Sequence, residues 1–434
     1  MKSFSIERRL ILFGRYPVPG LTKTRLIPVV GPLGAAELQR QWTEHILTIF
    51  KRANLAPVDF VFSGGARAQM RRWVGQDQVH LRAQAEGDLG RRMRLAMAHA
   101  FAQGASQVVL MGTDIPELTI AHLTEAFSAL AERDVVLGPS TDGGYWLVGS
   151  RRPVEIFDGI AWGTAEALKQ TLARLEQQGL SVTLLQPLHD IDCEADLRAW
   201  QPQGGWTKPF LSIIIPTLNE AEQIAQTIAH VKAADIEVIV ADGGSQDETP
   251  ALAHQAGAKV IQAPKGRARQ QNQGARASQG QALLFLHADT RLPSDFGAQV
   301  FEVLLNPDVA LGAFHFRTDW DHWAMPWIEW AANVRSRWLK MPYGDQAMFM
   351  RRTRFDQIGG FPDAPIAEDL YLARKMGRKG RVELAPGVAI TSGRRWRSIG
   401  IARTTWINYR IALGCLLGTH PRKLASLYQK DKRS

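Results

Sequence analysis

Short apolar runs rich in β-branched residues recur along this chain, and each stops at a polar, often acidic loop before a stretch with helical spacing. They fall at residues 10–13, 58–63, 107–111 and 135–138 in the first half, and at 211–215, 237–241 and 282–287 in the second. A strand that alternates with a helix has its successor carried back beside it in parallel, with helices covering both sheet faces. The expected fold class is therefore α/β with mostly parallel sheets. Ligands in such sheets bind beyond the carboxyl ends of the strands, so the residues just after each run are where chemistry is to be sought.

Residues 201–208 (QPQGGWTK) break the pattern with Gly, Pro and Gln, and the same grammar restarts after them. We expect one domain at 1–200, a linker at 201–208, a second domain at 209–404 and a basic C-terminal helix or tail at 405–434. The 434 residues suffice for two ordinary cores, and 45% hydrophobic with 22% charged residues excludes disorder, collagen and coiled coil. The net charge of +10 is unevenly placed. Residues 374–434 hold 15 Lys and Arg against Glu383 and Asp431, a net of +13, so everything before Arg374 sums to −3. That placement suits a diphosphate, an anionic acceptor or a membrane surface. No nucleic-acid module pattern accompanies it, and no nucleic-acid partner is expected. Cys193 and Cys415 lie in different halves and make neither a disulfide framework nor a metal cluster. The N-terminal sequence lacks the apolar stretch of a secretory signal, and no apolar run approaches the ~18–20 residues of a spanning helix. A cytoplasmic protein is expected, soluble or in peripheral membrane contact through its basic C-terminus.

In the second half, the run at 211–215 ends in Pro216-Thr217-Leu218-Asn219-Glu220, and the next ends in Asp242-Gly243-Gly244. A carboxylate there can accept hydrogen bonds from a base or ribose while the glycines admit a ligand to the backbone; a plain tight turn would use the same residues. The third run ends in His287-Ala288-Asp289, and Asp289 suits a divalent cation held against a diphosphate. Lys265 and Arg267 lie in a basic, Gly-containing segment suited to phosphate charge, and Glu368-Asp369 opens a helical segment.

The ordered series IPTLNE, ADGGSQDET, LHADT, GGF…AEDL and SGRRW resembles the inverting family 2 glycosyltransferases of the GT-A fold, over nearly all of residues 210–400. The resemblance implies that Pro216, Thr217, Asn219, Glu220 and Asp242 line a nucleotide pocket and that Asp289 binds Mg²⁺ or Mn²⁺. Asp369 would be the general base toward an acceptor hydroxyl and Glu368 its orienting neighbour, with Lys265 and Arg267 countering the departing diphosphate. His287 departs from the family pattern, which has an aspartate there, and is read as a packing or hydrogen-bonding residue. Gly344-Asp345-Gln346 is placed to contact acceptor or sugar hydroxyls, although a turn is the simpler reading. Arg395 and Trp396 are expected on the acceptor side.

Trp320, Trp323, Trp327 and Trp330 are spaced 3, 4 and 3 and share a helical face, with Trp338 eight residues on. We expect that stripe in the core or lining an acceptor groove, with Asp321, His322 and Glu329 towards the other face. The segment from Trp406 to Leu417 reads as a short amphipathic or buried helix with a basic end.

In the first half, Gly20, Lys23 and Arg25 follow the first strand and could hold a phosphate chain. Asp114 ends a buried run, and Asp142-Gly-Gly, Trp162-Gly-Thr and Asp190-Ile-Asp192 follow. Over residues 9–200 these motifs resemble a small transferase family akin to guanylyltransferases and molybdenum-cofactor nucleotidyltransferases, with a GT-A-type, Rossmann-like sheet. That resemblance assigns metal to Asp114 and Asp192. The Gly-Gly opening loop of sugar nucleotidyltransferases is missing, and Arg15 stands where relatives often carry lysine. Side by side, the halves resemble a pair of transferase families linked to radical-SAM genes and arsenosugar biosynthesis. The expectation is two tandem GT-A nucleotide-binding domains, the second transferring a sugar from a nucleotide-diphosphate donor to a small-molecule or lipid acceptor. The first would perform a related transfer, make the donor as a nucleotidyltransferase, or serve as a non-catalytic nucleotide-binding scaffold.

Overall fold

The structure is a computed structural model that describes residues 7–75, 79–200 and 209–426. The chain folds as two compact units, 1–206 and 207–434. The expected linker at 201–208 and the last part of the expected tail, 427–434, lie outside the described residues.

The first unit contains β1 (Arg8–Arg15), β2 (Val58–Ser63), β3 (Val79–Ala83), β4 (Gln107–Met111), β5 (Val135–Pro139), β6 (Tyr145–Ser150) and β7 (Val182–Leu184). Their order is β3-β2-β1-β4-β6-β5-β7. β1, β2, β3 and β4 run parallel, and β6 is antiparallel to both its neighbours. All five residues of β4 and of β5 are buried, as continuous apolar runs covered on both faces must be. Chain order reverses between β1 and β4, which opens a crevice at their carboxyl ends.

The second unit repeats the plan with β8 (Leu211–Thr217), β9 (Ile236–Asp242), β10 (Lys259–Gln262) and β11 (Ala282–Phe285). It adds β12 (Thr290–Arg291), β13 (Val309–Thr318), β14 (Phe349–Arg351) and β15 (Arg381–Thr391). The order is β10-β9-β8-β11-β14-β13-β15-β12, with the first four strands parallel and β14 antiparallel to β11 and β13. The reversal here lies between β8 and β11, so Pro216 and Asp289 extend from neighbouring strand ends. Both units are α/β with mostly parallel sheets, the class the alternating runs predict.

The tryptophan stripe does not reach the core. Trp323, Trp327, Trp330 and Trp338 are 80%, 70%, 63% and 75% exposed. The helix Met325–Trp338, which carries the last three, turns its polar residues inward instead. Glu329 accepts hydrogen bonds from the Thr318 N–H (2.8 Å) and hydroxyl (2.9 Å). Asn333 accepts from Phe316 N (2.7 Å) and donates to Phe316 O (3.1 Å). β14 pairs with β13 only at Gly312, so backbone groups further along β13 need partners, and these side chains supply them. Of the stripe, Trp320 alone fits the expected packing, against Phe316, Met325 and Trp396. The C-terminal helix runs from Ile401 to Leu416 and packs Ala412 and Cys415 against Met341 and Leu370, so it completes the second unit's core.

Candidate functional site

The loops after β8, β9 and β11 meet at one end of the second sheet. Asn219, in a left-handed conformation (φ 57°), donates its N–H to Ser245 Oγ (2.9 Å) and accepts from Gln246 N (2.8 Å), which ties the first two loops together. Beyond them opens a cavity of about 530 Å³, walled by Pro216, Glu220, Arg267, Asp289, Asp345, Glu368, Asp369, Arg394 and Arg395. Its walls come from segments as far apart in sequence as Pro216 and Ile411, brought together by the sheet order.

Five carboxylates wall this cavity, of which Asp345, Glu368 and Asp369 act on one another. Asp345 is half-buried, with Oδ1 inaccessible, and its carboxyl is pushed up to about 7, first by desolvation and then by Asp369. Glu368 is pushed up to about 7 by the same two causes, and Arg267, 3.8 Å away, opposes the shift. Asp345 Oδ1 and Glu368 Oε1 are buried without a hydrogen-bond partner, a costly state that a ligand hydroxyl would relieve. Asp369 is held differently: Gly344 N donates to its Oδ2 (2.7 Å) and Leu370 N to its Oδ1 (2.8 Å). Gly344 permits this because it has no side chain. A Cβ there would stand 2.9 Å from His287 Nε2 and 3.3 Å from Asp369 Oδ2. Burial holds His287 well below the usual imidazole range, with Arg267 adding to the effect, so the ring is neutral.

The cationic wall is Arg394, whose Nη2 lies 3.1 Å from Glu220 Oε2 and 3.2 Å from Asp289 Oδ2. Sequence reasoning chose its neighbours Arg395 and Trp396 and missed it. The SGRRW motif marks the segment, but only the phase of the short helix Arg394–Ile399 decides which arginine bridges the strand-end carboxylates. Among the described residues, no three His, Cys, Asp or Glu side chains come close enough to hold a metal by themselves. A divalent ion at Asp289 would thus take its remaining oxygens from a bound diphosphate and water, a donor set that suits Mg²⁺.

Several expectations change. Asp242 is buried and spends its oxygens on its own loop, accepting from Gly244 N, Ser245 N, Ser245 Oγ and Thr217 Oγ1. These bonds shape the Gly243–Gly244 turn. Thr217, as its donor, is buried in the same network. Gln346 is fully buried as a brace, with Oε1 accepting from Ser336 Oγ (2.6 Å) and Tyr343 N (3.1 Å) and Nε2 donating to Phe314 O (2.9 Å), and it does not wall the cavity. Trp396 touches the cavity but is mainly packed, its ring 6.0 Å from that of Phe316. Lys265 is exposed in the loop after β10 and does not wall the cavity, whereas Arg267 does.

In the first unit, a crevice of about 320 Å³ lies beyond β1 and β4, walled by Arg15, Lys23, Arg25, Arg92, Asp114 and Asp192 among others. Gly20, at φ 80°, lets the preceding loop turn and stays outside the wall. Lys23 is also left-handed (φ 49°), and its ammonium sits 2.9 Å from Asp114 Oδ2, 3.5 Å from Asp192 Oδ1 and 2.6 Å from Ile191 O. Arg25 adds a second cation 3.0 Å from Asp192. The two aspartates expected to bind metal are thus neutralised by the chain itself, and Lys23 is their counter-ion before it is a phosphate ligand. Asp190, which the motifs alone do not single out as a site residue, is pushed up to about 6 by burial and by Asp142, Asp192 and Asp114.

Comparison with known proteins agrees with this division. Residues 47–164 match the family described as "Uncharacterized protein conserved in bacteria (DUF2064)", and residues 212–361 match "Glycosyl transferase family 2". No curated protein matches the chain. Among solved structures, a protein from Desulfovibrio desulfuricans G20 described as a "putative nucleotide-diphospho-sugar transferase" is 34% identical, with 46% of this chain and 90% of that one covered at a TM-score of 0.43. The mannosyltransferase PcManGT from Pyrobaculum calidifontis is 20% identical (47% and 63% covered, TM-score 0.39). TarS 1–349 from S. aureus, solved with UDP-GlcNAc, is 18% identical (42% and 58% covered, TM-score 0.34). The first unit thus carries a match to the DUF2064 family and the second a match to glycosyl transferase family 2.

Proposed function

We infer that the C-terminal domain transfers a sugar from a nucleoside-diphosphate donor to an acceptor hydroxyl with inversion. One observation carries this reading: Asp345, Glu368 and Asp369 converge on the same cavity as Arg267, Arg394 and Asp289. The arginines form the end suited to the donor diphosphate. Asp369, its oxygens aimed by the Gly344 and Leu370 N–H groups, takes the proton of the acceptor hydroxyl. That oxygen forms its bond to the anomeric carbon as the bond from that carbon to the diphosphate oxygen breaks on the opposite side. The charge left on the diphosphate meets Arg394 and Arg267, whose guanidinium groups are present before the reaction begins. A Mg²⁺ or Mn²⁺ ion held by Asp289 with the diphosphate would supply further charge neutralisation. Asp345 and Glu368, which burial keeps protonated to a higher pH than an ordinary carboxyl, offer hydrogen bonds to acceptor or sugar hydroxyls.

The test is release of nucleoside diphosphate by the full chain from a panel of nucleotide-sugars, with and without Mg²⁺ or Mn²⁺. Asp369→Asn and Asp289→Ala should each lower turnover by about 100-fold or more. Wild-type turnover in both variants would overturn the assignment.

For the N-terminal domain, the Lys23 ammonium, itself buried between Asp114 and Asp192, favours nucleotide binding without catalysis over a metal-dependent transfer, whereas the Arg394 side chain beside Asp289 is half-exposed and can turn to a diphosphate. Calorimetric titration of the full chain carrying Asp289→Ala with GTP, CTP and UDP reads this site. Nucleotide binding that is unaffected by chelation is expected, and binding that requires a divalent ion would refute it.

A further inference from the structure

Two helices of the second unit carry apolar stripes that none of the described residues covers. On Met325–Trp338 the polar side chains Glu329 and Asn333 are spent on β13, which leaves Trp327, Trp330 and Trp338 outward. On Ile401–Leu416, Trp406, Tyr409, Leu413 and Leu416 recur at spacings of 3, 4 and 3 and are all exposed. The two stripes meet. Trp323 and Trp327 from one side, and Trp406 and Tyr409 from the other, edge a single groove with almost no polar atom in its walls.

Charge decides among the occupants such a face could have. Between Glu383 and Asp431 the chain has no Asp or Glu, while the helix Ile401–Leu416 and the residues after it carry Arg403, Arg410, Arg422 and Lys423. On the tryptophan helix the single carboxylate, Glu329, is turned inward, and Arg337 is exposed. The face therefore combines exposed tryptophan, whose amphipathic ring favours the headgroup level of a bilayer, with a basic excess in which Asp321, two residues before Trp323, is an exposed carboxylate. No helix among the described residues is long and apolar enough to cross a membrane. We propose that the tryptophan faces of Met325–Trp338 and Ile401–Leu416 dock the protein on an anionic lipid surface, lying in the interface without spanning it. Asn408 and Ile411, on the inner side of the same C-terminal helix, wall the 530 Å³ cavity. Docking would hold that cavity within about one helix diameter, ~10 Å, of the headgroups. The inference concerns binding and stands whether or not the glycosyl-transfer reading does.

The test is co-sedimentation of the full chain with vesicles of phosphatidylcholine alone and of phosphatidylcholine mixed with phosphatidylglycerol. The paired substitution Trp327→Ser with Trp406→Ser removes one edge of the groove from each helix, at positions exposed enough to leave folding intact. The wild-type protein should pellet with the anionic vesicles and less with the neutral ones. The double variant should lose about tenfold or more in bound fraction, with an unchanged circular dichroism spectrum. Failure of the wild-type protein to pellet, or equal pelleting of both proteins, overturns the proposal. So does a wild-type dimer in sedimentation velocity that the double variant abolishes while neither protein pellets, since the face would then join two copies of this chain.

Discussion

Asp345→Asn should make the protein more stable at mildly alkaline pH, and the size of the gain follows from the geometry of the carboxylate cluster. The Asp345 carboxyl is raised from 3.8 to about 7 because it is desolvated and faces Asp369. A group whose folded value is raised in this way contributes stability that is fully present below about 4 and is lost as pH rises through about 7. Three units at about 1.4 kcal/mol each set an upper bound of roughly 4 kcal/mol. Glu368 and Asp369 share the same field, so releasing one member relaxes the others and about 2 kcal/mol is the working figure. Asparagine keeps the shape of the side chain and carries no charge at any of these pH values. The variant's advantage over wild type should therefore widen by about 2 kcal/mol between about pH 4 and about pH 8, or roughly 4–8 °C for a domain of this size. Scanning calorimetry at the two pH values measures it, read on the transition of the C-terminal domain. A difference in midpoint that is the same at both pH values would show that Asp345 does not titrate against burial and Asp369, and the argument for the cluster would fail.

Gly344→Ala should place a methyl 2.9 Å from His287 Nε2 and displace the N–H that aims Asp369. Turnover should drop by about 100-fold for a stability loss of about 1–3 kcal/mol, and an active alanine variant would show that Asp369 needs no such aim. Gln346→Ala removes three buried hydrogen bonds and should lower the thermal midpoint by the equivalent of about 2–4 kcal/mol; an effect confined to acceptor KM would instead restore its role as an acceptor ligand. Lys23→Met leaves Asp114 and Asp192 without their shared ammonium. Both carboxylates are partly solvated, so a loss of about 1–2 kcal/mol is expected by denaturant titration of the N-terminal transition, together with a new affinity for Mg²⁺. No loss and no metal binding would refute the counter-ion role.

The parallel strands were legible because their signal is local. A run such as residues 107–111 is apolar at nearly every position, and only a strand covered on both faces uses such a run. The same holds for residues 211–217, and the sheet order then places Pro216 beside Asp289. β13 and β15 were not legible as partners. They pair in parallel from about 70 residues apart, with two register irregularities, and β14 between β13 and β11 is only three residues long.

By itself the sequence determined two α/β units and the strand ends that lead to Glu220 and Asp289, since hydrophobic patterning fixes strands and loops wherever the chain is read; that Glu368 and Asp369, at the start of a helix, join them was implied only by the family resemblance. Tertiary structure alone decided what each polar group faces. Asp242 turned out to serve its own turn, Gln346 to brace Phe314 and Ser336, and Lys23 to lie between the two aspartates expected to hold metal. The tryptophan helix is the plainest case. Periodicity states that Trp323, Trp327 and Trp330 share a face, but which face turns inward depended on the unpaired backbone of β13, and Glu329 and Asn333 answered it. A buried backbone group without a partner is costly, so satisfying it displaced the apolar stripe to the outside.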